Sequence, residues 1–422
     1  MIKNLKILMQ YIRDYGFISA FVFVLYKLKP RYFSILSMRF MRSGSIEAGS
    51  IEYRALINEV YDYESWEAIG GKAAPYSSTV AGEKVFIWFV PDWTNVWGGG
   101  HYTLFRFANY FAHKGTRNII YIYNNKRHDT PTHLQNELNF ALIDCKVEVI
   151  VDPKKLPECD GVIATTWQSA YPVRAFPFAK HKFYFMQDYE SLFYAFGTAS
   201  MQANATYGFG FTGITGGGWL KQCYENHGGK AQNYCFAADR KIFYPANSKG
   251  LVRDKVKKIF FYGRPSTERR CFALGIAALS KIAEKYPEIE LVIAGLELGS
   301  KPPFKVTTLG NLTLAGTGDL YRTCDIGIAF SGTNLSYLPV ELMASGVPVI
   351  SNNGPHIEWH CKNKYNSLLV DPVPQAVLDA VTALVESRSL RQDLVDGGLE
   401  TMKDLDWNDQ MEKIYKYVDS SF

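Results

Sequence analysis

Cys324-Asp-Ile-Gly-Ile-Ala-Phe-Ser331, followed by Leu338-Pro-Val-Glu-Leu-Met-Ala-Ser-Gly-Val-Pro-Val-Ile350, is the stretch whose reading decides the fold. It reads as a buried strand, a loop, a short helix with a sharp stop, and a second buried strand. Pro339 suits the opening of the helix, because the N–H it lacks would be unpaired there. Gly346 suits the left-handed position that closes one. This reading puts Glu341 in the first helical turn, just beyond the carboxyl end of a strand, and in open α/β sheets ligands bind at that edge. A carboxylate there can accept hydrogen bonds from a sugar diol, such as the ribose of a nucleotide. The plainer alternative is an acidic side chain that only complements a helix dipole.

The same alternation runs outward in both directions. Apolar runs of strand length occur at 85–90, 119–123, 147–151, 161–165, 182–186 and 210–215. A second set occupies 258–262, 290–294, 306–309, 325–330 and 348–351. Helix-like stretches such as 102–113 and 271–286 lie between them. Apolar strands alternating with amphipathic helices imply parallel sheets covered on both faces. A chain of 422 residues exceeds one ordinary core. The expected fold is therefore α/β, with two Rossmann-like doubly wound domains facing a cleft and a mainly helical N-terminal extension. The expected boundaries are 1–80 for the extension, 81–245 for the first domain, 246–398 for the second, and 399–422 for a final amphipathic helix.

Composition narrows the function classes. The seven cysteines include no C-x-x-C pair, which argues against a disulfide framework or a structural zinc site and suits a reducing compartment. Residues 1–42 carry eight Lys/Arg against one acid, a charge of +7, which leaves −2 of the total +5 for the rest. The main body thus lacks the basic bias of a nucleic-acid binder. Phe17–Tyr26 is apolar but far shorter than the roughly 20 residues a spanning helix needs. Basic flanks around it point to the surface of an anionic membrane. The alternative is an extension that packs on the body, its Lys and Arg stems covering apolar surface.

Two loops carry the clearest chemistry. Trp97-Gly-Gly-Gly-His101 follows the first strand and precedes a helix. Backbone at Gly99 and Gly100 can approach a ligand closely, and the helix N-terminus behind them favours an anion; a plain strand-to-helix turn is the alternative. Phe261-Tyr-Gly-Arg-Pro-Ser-Thr-Glu-Arg-Arg270 is the second. Arg264 and Arg269 could both reach one diphosphate, since guanidinium forks match its oxygens. Asp188-Tyr-Glu190 reads as acceptor contacts or a general base, or else as a polar turn. His356 and His360 share the spacing of zinc ligands but lack a third partner. Trp93, Trp97, Trp167, Tyr171, Tyr189, Phe193, Tyr194 and Trp219 fall in expected loops, where flat side chains can bury the apolar faces of sugars.

These residues carry a resemblance. The second half is similar to GT-B glycosyltransferases of glycosyltransferase family 4. The match runs through Gly263-Arg264…Arg269, Gly310…Gly316, the strand Cys324–Phe330, and Glu341-Leu-Met-Ala-Ser-Gly-Val-Pro-Val-Ile350. It also includes Asp239-Arg-Lys-Ile-Phe-Tyr-Pro245 in the linker. The first half resembles the polysaccharide rhamnosyltransferases of the WsaF type. There the matching stretches are Val90-Pro-Asp-Trp93, Gly98-Gly-Gly-His101, Thr166-Trp167, Phe185–Tyr194 and Gly213–Trp219. Coverage is about residues 84–420.

The resemblance implies a transferase that retains anomeric configuration and needs no metal or other cofactor. It would move rhamnose or another hexose from a nucleotide diphosphate sugar to an oligosaccharide or lipid-linked glycan. Cell-surface polysaccharide such as O-antigen would be the product. Arg264 and Arg269 would hold the diphosphate, Glu341 the ribose, and Gly99, Gly100 and Gly263 would shape the donor site. Asp188, Glu190, Trp97, Trp167, Tyr189 and Trp219 are read as facing the acceptor. The helix in 399–422 would cross back to the first domain. The enzyme would work in the cytoplasm, peripheral on the inner face of the plasma membrane through residues 1–42. Two positions depart from the family pattern. Arg269 stands where Lys is usual, and Thr333 stands where the paired motif Glu, seven residues, Glu has its first carboxylate. That loss motivates a rival reading as a non-catalytic nucleotide- or glycan-binding subunit of a synthase complex. A sugar-nucleotide epimerase of the same fold is a second rival, against which the aromatic loops argue.

Overall fold

A strand whose every side chain is apolar, such as Val85-Phe-Ile-Trp-Phe-Val90, has no face to give to water, so it must lie inside a sheet covered on both sides. The computed structural model describes residues 60–72, 82–93, 95–124, 130–247, 252–296 and 302–422. The expected extension 1–80 is described only at 60–72, so its basic segment 1–42 lies outside the described residues.

The first sheet contains β1 (Val85–Val90), β2 (Arg117–Ile122), β3 (Glu148–Ile150), β4 (Cys159–Ala164), β5 (Ala179–Met186), β6 (Thr212–Gly216) and β7 (Lys230–Tyr234). Its order is β3-β2-β1-β4-β5-β6-β7, and every pairing is parallel. Five helices accompany it: α1 (Gly99–His113), α2 (Pro131–Ala141), α3 (Trp167–Ala175), α4 (Thr198–Thr206) and α5 (Gly218–Asn226). The second sheet contains β8 (Lys258–Tyr262), β9 (Glu290–Ala294), β10 (Thr307–Thr308), β11 (Ile326–Ile328), β12 (Val349–Asn352) and β13 (Leu368–Val370). Its order, β10-β9-β8-β11-β12-β13, repeats the logic of the first. Its helices are α6 (Phe272–Lys285), α7 (Leu314–Thr323), α8 (Tyr337–Ala344), α9 (Pro355–Glu358), α10 (Pro374–Glu386) and α11 (Arg388–Lys403). Both sheets are doubly wound, as expected. In each, the chain reverses direction beside the first strand, between β1 and β4 and between β8 and β11, and such reversals open the crevice where ligands bind.

Two strands lie outside the expected set. β7 is mostly polar and lies at a sheet edge, and β13 is only three residues long. The helix in the deciding stretch also begins earlier than expected. Ser336 is its N-cap and Tyr337 its first residue, so Pro339 lies inside the first turn and Glu341 falls one turn further on. Gly346 does take the left-handed conformation, with φ 70°, and its N–H donates to the Met343 carbonyl.

The last helix, α12 (Trp407–Asp419), returns to the first domain. Cys235 N–H donates to Gln410 at 2.8 Å, and Tyr110 donates to Glu412 at 2.7 Å. The terminal Phe422 packs edge-on against Phe86 and His181. Within Tyr61–Phe422, one compact unit, the two sheets are thus pinned by a returning segment as well as by the linker. All seven cysteines are free thiols.

One glycine marks where the domains meet. Gly217 has φ 89°, and a Cβ there would lie 2.5 Å from the Trp359 ring of the second domain. Gly217→Ala combines a left-handed strain of about 1–2 kcal/mol with that overlap. It should lower the melting temperature in calorimetry, whereas Gly218→Ala, where a Cβ meets nothing, should not.

Candidate active site in the interdomain cleft

The loops that follow β1, β5, β8 and β11 carry the polar groups that meet between the domains. After β5 comes Gln187-Asp188, and after β11 comes Ser331-Gly-Thr-Asn334. Asn334 is fully buried. Its side-chain N–H groups donate to the carbonyls of Gln187 at 3.0 Å and Gly216 at 2.6 Å, and its side-chain oxygen accepts from the Trp359 indole at 3.0 Å. Its backbone N–H donates to Asp188 Oδ1 at 2.8 Å. The neighbouring Thr333 hydroxyl donates to Asp188 Oδ2 at 2.9 Å. Tyr337, at the start of α8, shares a 2.8 Å hydrogen bond with Thr103 of α1. The cleft is closed by these contacts.

Arginines crowd the loop after β8. Arg264 is exposed, and its guanidinium has no hydrogen-bond or ion-pair partner among the described residues. Arg269 has its Nε 3.3 Å from Asp188 Oδ2 and its guanidinium 3.9 Å from the centre of the Phe193 ring. Both of those partners belong to the first domain. Arg270, which spacing alone does not single out, donates to the Ser331 hydroxyl at 2.7 Å. Burial pushes its guanidinium down to about 10, with Asp188 opposing the shift. It remains charged at neutral pH, so three cations face one carboxylate. Gly263 has a packing role, because a Cβ there would run into Leu296 and Ile293 of the neighbouring strand segment.

Glu341 of α8 and the start of α1 carry the remaining candidate groups. No donor reaches the Glu341 side chain among the described residues, and burial pushes its carboxyl up to about 7, partly offset by Arg106. Arg106 itself is stacked between Tyr102 and Trp407. Gly99 and Gly100 are exposed, and no side chain caps the N-terminus of α1. A Cβ on Gly99 would lie 3.3 Å from Tyr337 and one on Gly100 would lie 3.6 Å from Gln187, so both glycines border the polar tie. Arg106, Gln187, Asn334 and Tyr337 carry no motif signal. Only their pairing across the cleft identifies them.

The aromatic residues divide. Trp93 and Tyr171 are buried, and Trp93 donates to Glu137. Trp167 is 4 % exposed, opens α3 rather than lying in a loop, and packs edge-on against Tyr61 and Tyr194. Its enclosure corrects the expectation that it faces an acceptor. Tyr189 and Trp219 are half-buried and touch edge-on, with Tyr189 stacked on Tyr207 and Trp219 against His356. Trp97 is also half-buried and packs on Tyr102. Glu190 turns inward from Asp188: it accepts the Trp167 N–H, capping α3, and its own N–H donates to Tyr207. That inward turn corrects the expectation that Glu190 faces the acceptor. His101 binds the Pro91 carbonyl, and no group of side chains able to hold a metal occurs among the described residues. His356 and His360 do not share a helical face, because α9 ends at Glu358.

Comparison with known proteins agrees with the fold. Residues 257–382 match the family model described as "WsaF, C-terminal domain". The chain is 36% identical over 347 residues to the O-antigen biosynthesis protein RfbC of Myxococcus xanthus, covering 78% of this chain and 26% of that protein. It is 26% identical over 180 residues to the phosphatidyl-myo-inositol mannosyltransferase of Mycobacterium leprae, covering 39% of this chain and 48% of that one. The chain therefore spans about a quarter of the first relative and about half of the second. Among solved structures, HepE of Anabaena in complex with UDP and glucose superposes with a TM-score of 0.62 at 14% identity, over 80% of this chain and 100% of that one.

The inward turn of Glu190 has a measurable consequence. Burial pushes its carboxyl up to about 8 from an ordinary 4.5, with the Trp167 N–H and Arg269 pulling against the rise and Asp188 adding to it. An acid raised in the folded state costs stability as pH climbs from the unfolded value to the folded one, because the unfolded chain ionises first. Glu190→Gln keeps an acceptor for Trp167 without titrating. The melting temperature of the variant minus that of the parent should therefore grow between pH 5 and pH 8. A difference that stays constant over that range would show that Glu190 titrates as an ordinary carboxylate.

Proposed function

We propose that this chain, a WsaF-like protein of the GT-B fold, is a glycosyltransferase of cell-surface polysaccharide synthesis. It moves a hexose, rhamnose being one candidate, from a nucleoside diphosphate sugar to an oligosaccharide or lipid-linked glycan. The carrying observation is the Glu341 carboxylate, which lies in the cleft wall with no donor of its own among the described residues and within electrostatic reach of Arg106. Glu341 is half-buried, and a carboxylate with no protein donor is open to a ligand that supplies one. Ribose hydroxyls supply two donors. The exposed N–H groups at the start of α1 then serve phosphate or sugar, and Arg264 is free to hold the diphosphate.

In this reading the charge that develops on the departing diphosphate is offset by the arginines after β8. That charge is fixed in the protein, so the reaction is proposed to proceed without a metal, with retention at the anomeric carbon. Acceptor sugars enter against Tyr189, Trp219 and Trp97, whose half-exposed rings can cover apolar sugar faces. No helix among the described residues is long and apolar enough to cross a membrane. The basic segment 1–42 is proposed to hold the protein on the cytoplasmic leaflet, near a lipid-linked acceptor. Its sedimentation with anionic vesicles should be salt-sensitive, and deleting the segment should abolish it.

Thermal shift against UDP, TDP, GDP, ADP and CMP, with and without Mg²⁺, tests the donor site. A ligand at about 100 times its dissociation constant adds about 2.7 kcal/mol of stability. One diphosphate should stabilise selectively and independently of Mg²⁺. Glu341→Gln and Arg264→Ala should each weaken it about tenfold, near 1.4 kcal/mol. Binding without sugar turnover would favour the non-catalytic subunit that Thr333 suggests. A parent protein that no nucleotide stabilises would overturn the assignment.

A further inference from the structure

The second domain lacks a carboxylate at Thr333, yet one is present within hydrogen-bond distance of that side chain. Asp188 Oδ2 accepts the Thr333 hydroxyl at 2.9 Å, and it comes from the first domain, 145 residues earlier. Asp188 is 8 % exposed and Thr333 is 1 % exposed. Every contact of Asp188 has a direction. Oδ1 accepts the backbone N–H groups of Asn334 at 2.8 Å and of Tyr189 at 2.9 Å, while Oδ2 faces Thr333 and, at 3.3 Å, Arg269 Nε. Three protein donors bind it and Arg269 faces it as an ion pair, so this buried carboxylate is committed to protein partners. Its reach is to Arg269, whose guanidinium also rests on the Phe193 ring of the same domain.

We propose that Asp188 is the positioning carboxylate of the donor site, delivered across the cleft in place of the acidic residue absent at Thr333, and that it aims Arg269 at the leaving diphosphate. This rests on the glycosyltransferase reading above. Arg269 belongs to the second domain but is fixed from the first by a carboxylate at Nε and a ring beneath its plane. The Nε contact is an ion pair at 3.3 Å without a hydrogen bond, and the two terminal nitrogens carry no hydrogen bond or ion pair among the described residues. These are the atoms that can form a paired contact with phosphate oxygens. The site is then composite: neither domain alone holds the guanidinium in place.

The test separates position from mere stability. Asp188→Asn is isosteric. Its oxygen still accepts from Asn334 and Tyr189, and its NH₂ can donate to the Thr333 hydroxyl, but it presents a donor to Arg269 and loses the anchor. Calorimetric binding of UDP against UMP, TDP against TMP, and GDP against GMP reads the β-phosphate contact alone. In Asp188→Asn the diphosphate should weaken about tenfold while the matching monophosphate is unchanged. Thr333→Glu alone sets two carboxylates against each other and should lower the melting temperature. Combined with Asp188→Ser, it returns a carboxylate to the second domain and should recover most of the diphosphate preference. Equal loss of mono- and diphosphate affinity, or unchanged affinities with only a lower melting temperature, overturns the inference. A parent protein that binds no nucleotide fails the glycosyltransferase reading itself, and this inference with it.

Discussion

The side-chain amide of Asn334 is the point at which the two sheets become one molecule. It spends its donors on two backbone carbonyls of the first domain and its acceptor on an indole of its own. A single hydrogen bond of this kind nets about 1 kcal/mol, but a buried group stripped of its partner costs about 1–3 kcal/mol. The contacts therefore stand or fall as a set. Everything in the cleft depends on that set. It brings Thr333 to Asp188 and holds the start of α8 against the start of α1, where Tyr337 borders Gly99. Gly217 has no side chain because the Trp359 ring occupies the space one would take.

Electrostatics explains why such a cleft suits an anion. Arg264, Arg269 and Arg270 share a single loop, and Asp188 is the only carboxylate with an ion pair to any of them among the described residues. Burial lowers Arg270 only to about 10, so its charge survives at neutral pH. On α8 of the same domain, burial pushes the Glu341 carboxyl up to about 7. A group in that state gains from any ligand that donates to it, because donation stabilises the ionised form that burial penalises. The arginine loop thus attracts phosphate and Glu341 can receive hydroxyl groups, as the two parts of a nucleotide diphosphate require.

Much of this is legible in the sequence because it is local. A continuous apolar run dictates a doubly covered strand, a glycine at the end of a helix dictates a left-handed cap, and basic loops at strand ends dictate where anions go. The failures are equally physical. β7 escapes the pattern because its polar composition reflects a sheet edge. The start of α8 falls earlier than Pro339 implies because proline is tolerated throughout the first turn of a helix, so it marks a turn and not a single position. Trp167 looks like an acceptor contact because aromatic residues in loops can bind sugars, whereas here the ring is enclosed by Tyr61, Tyr171 and Tyr194. Spacing favours Arg264 and Arg269 and passes over Arg270, whose partner Ser331 lies on another strand's loop. Asn334 and Gln187 are invisible in the sequence, since each has its meaning in a partner 147 positions away.

Thr333 shows where a motif misleads. Read along the chain it is a missing carboxylate and an argument against catalysis. Read in space it is a hydroxyl bound to a carboxylate that has come from elsewhere. The exchange is not neutral. A glutamate on the second domain would accompany its arginines whether the cleft were open or shut, whereas Asp188 accompanies them only across the interface. Separating the domains would strip Arg269 of its ion pair and of the Phe193 ring together, leaving mutually repelling cations on one loop. Closure relieves that repulsion, and so would a bound diphosphate. The charge imbalance that makes the open cleft costly is thus the same one that draws an anionic donor into it.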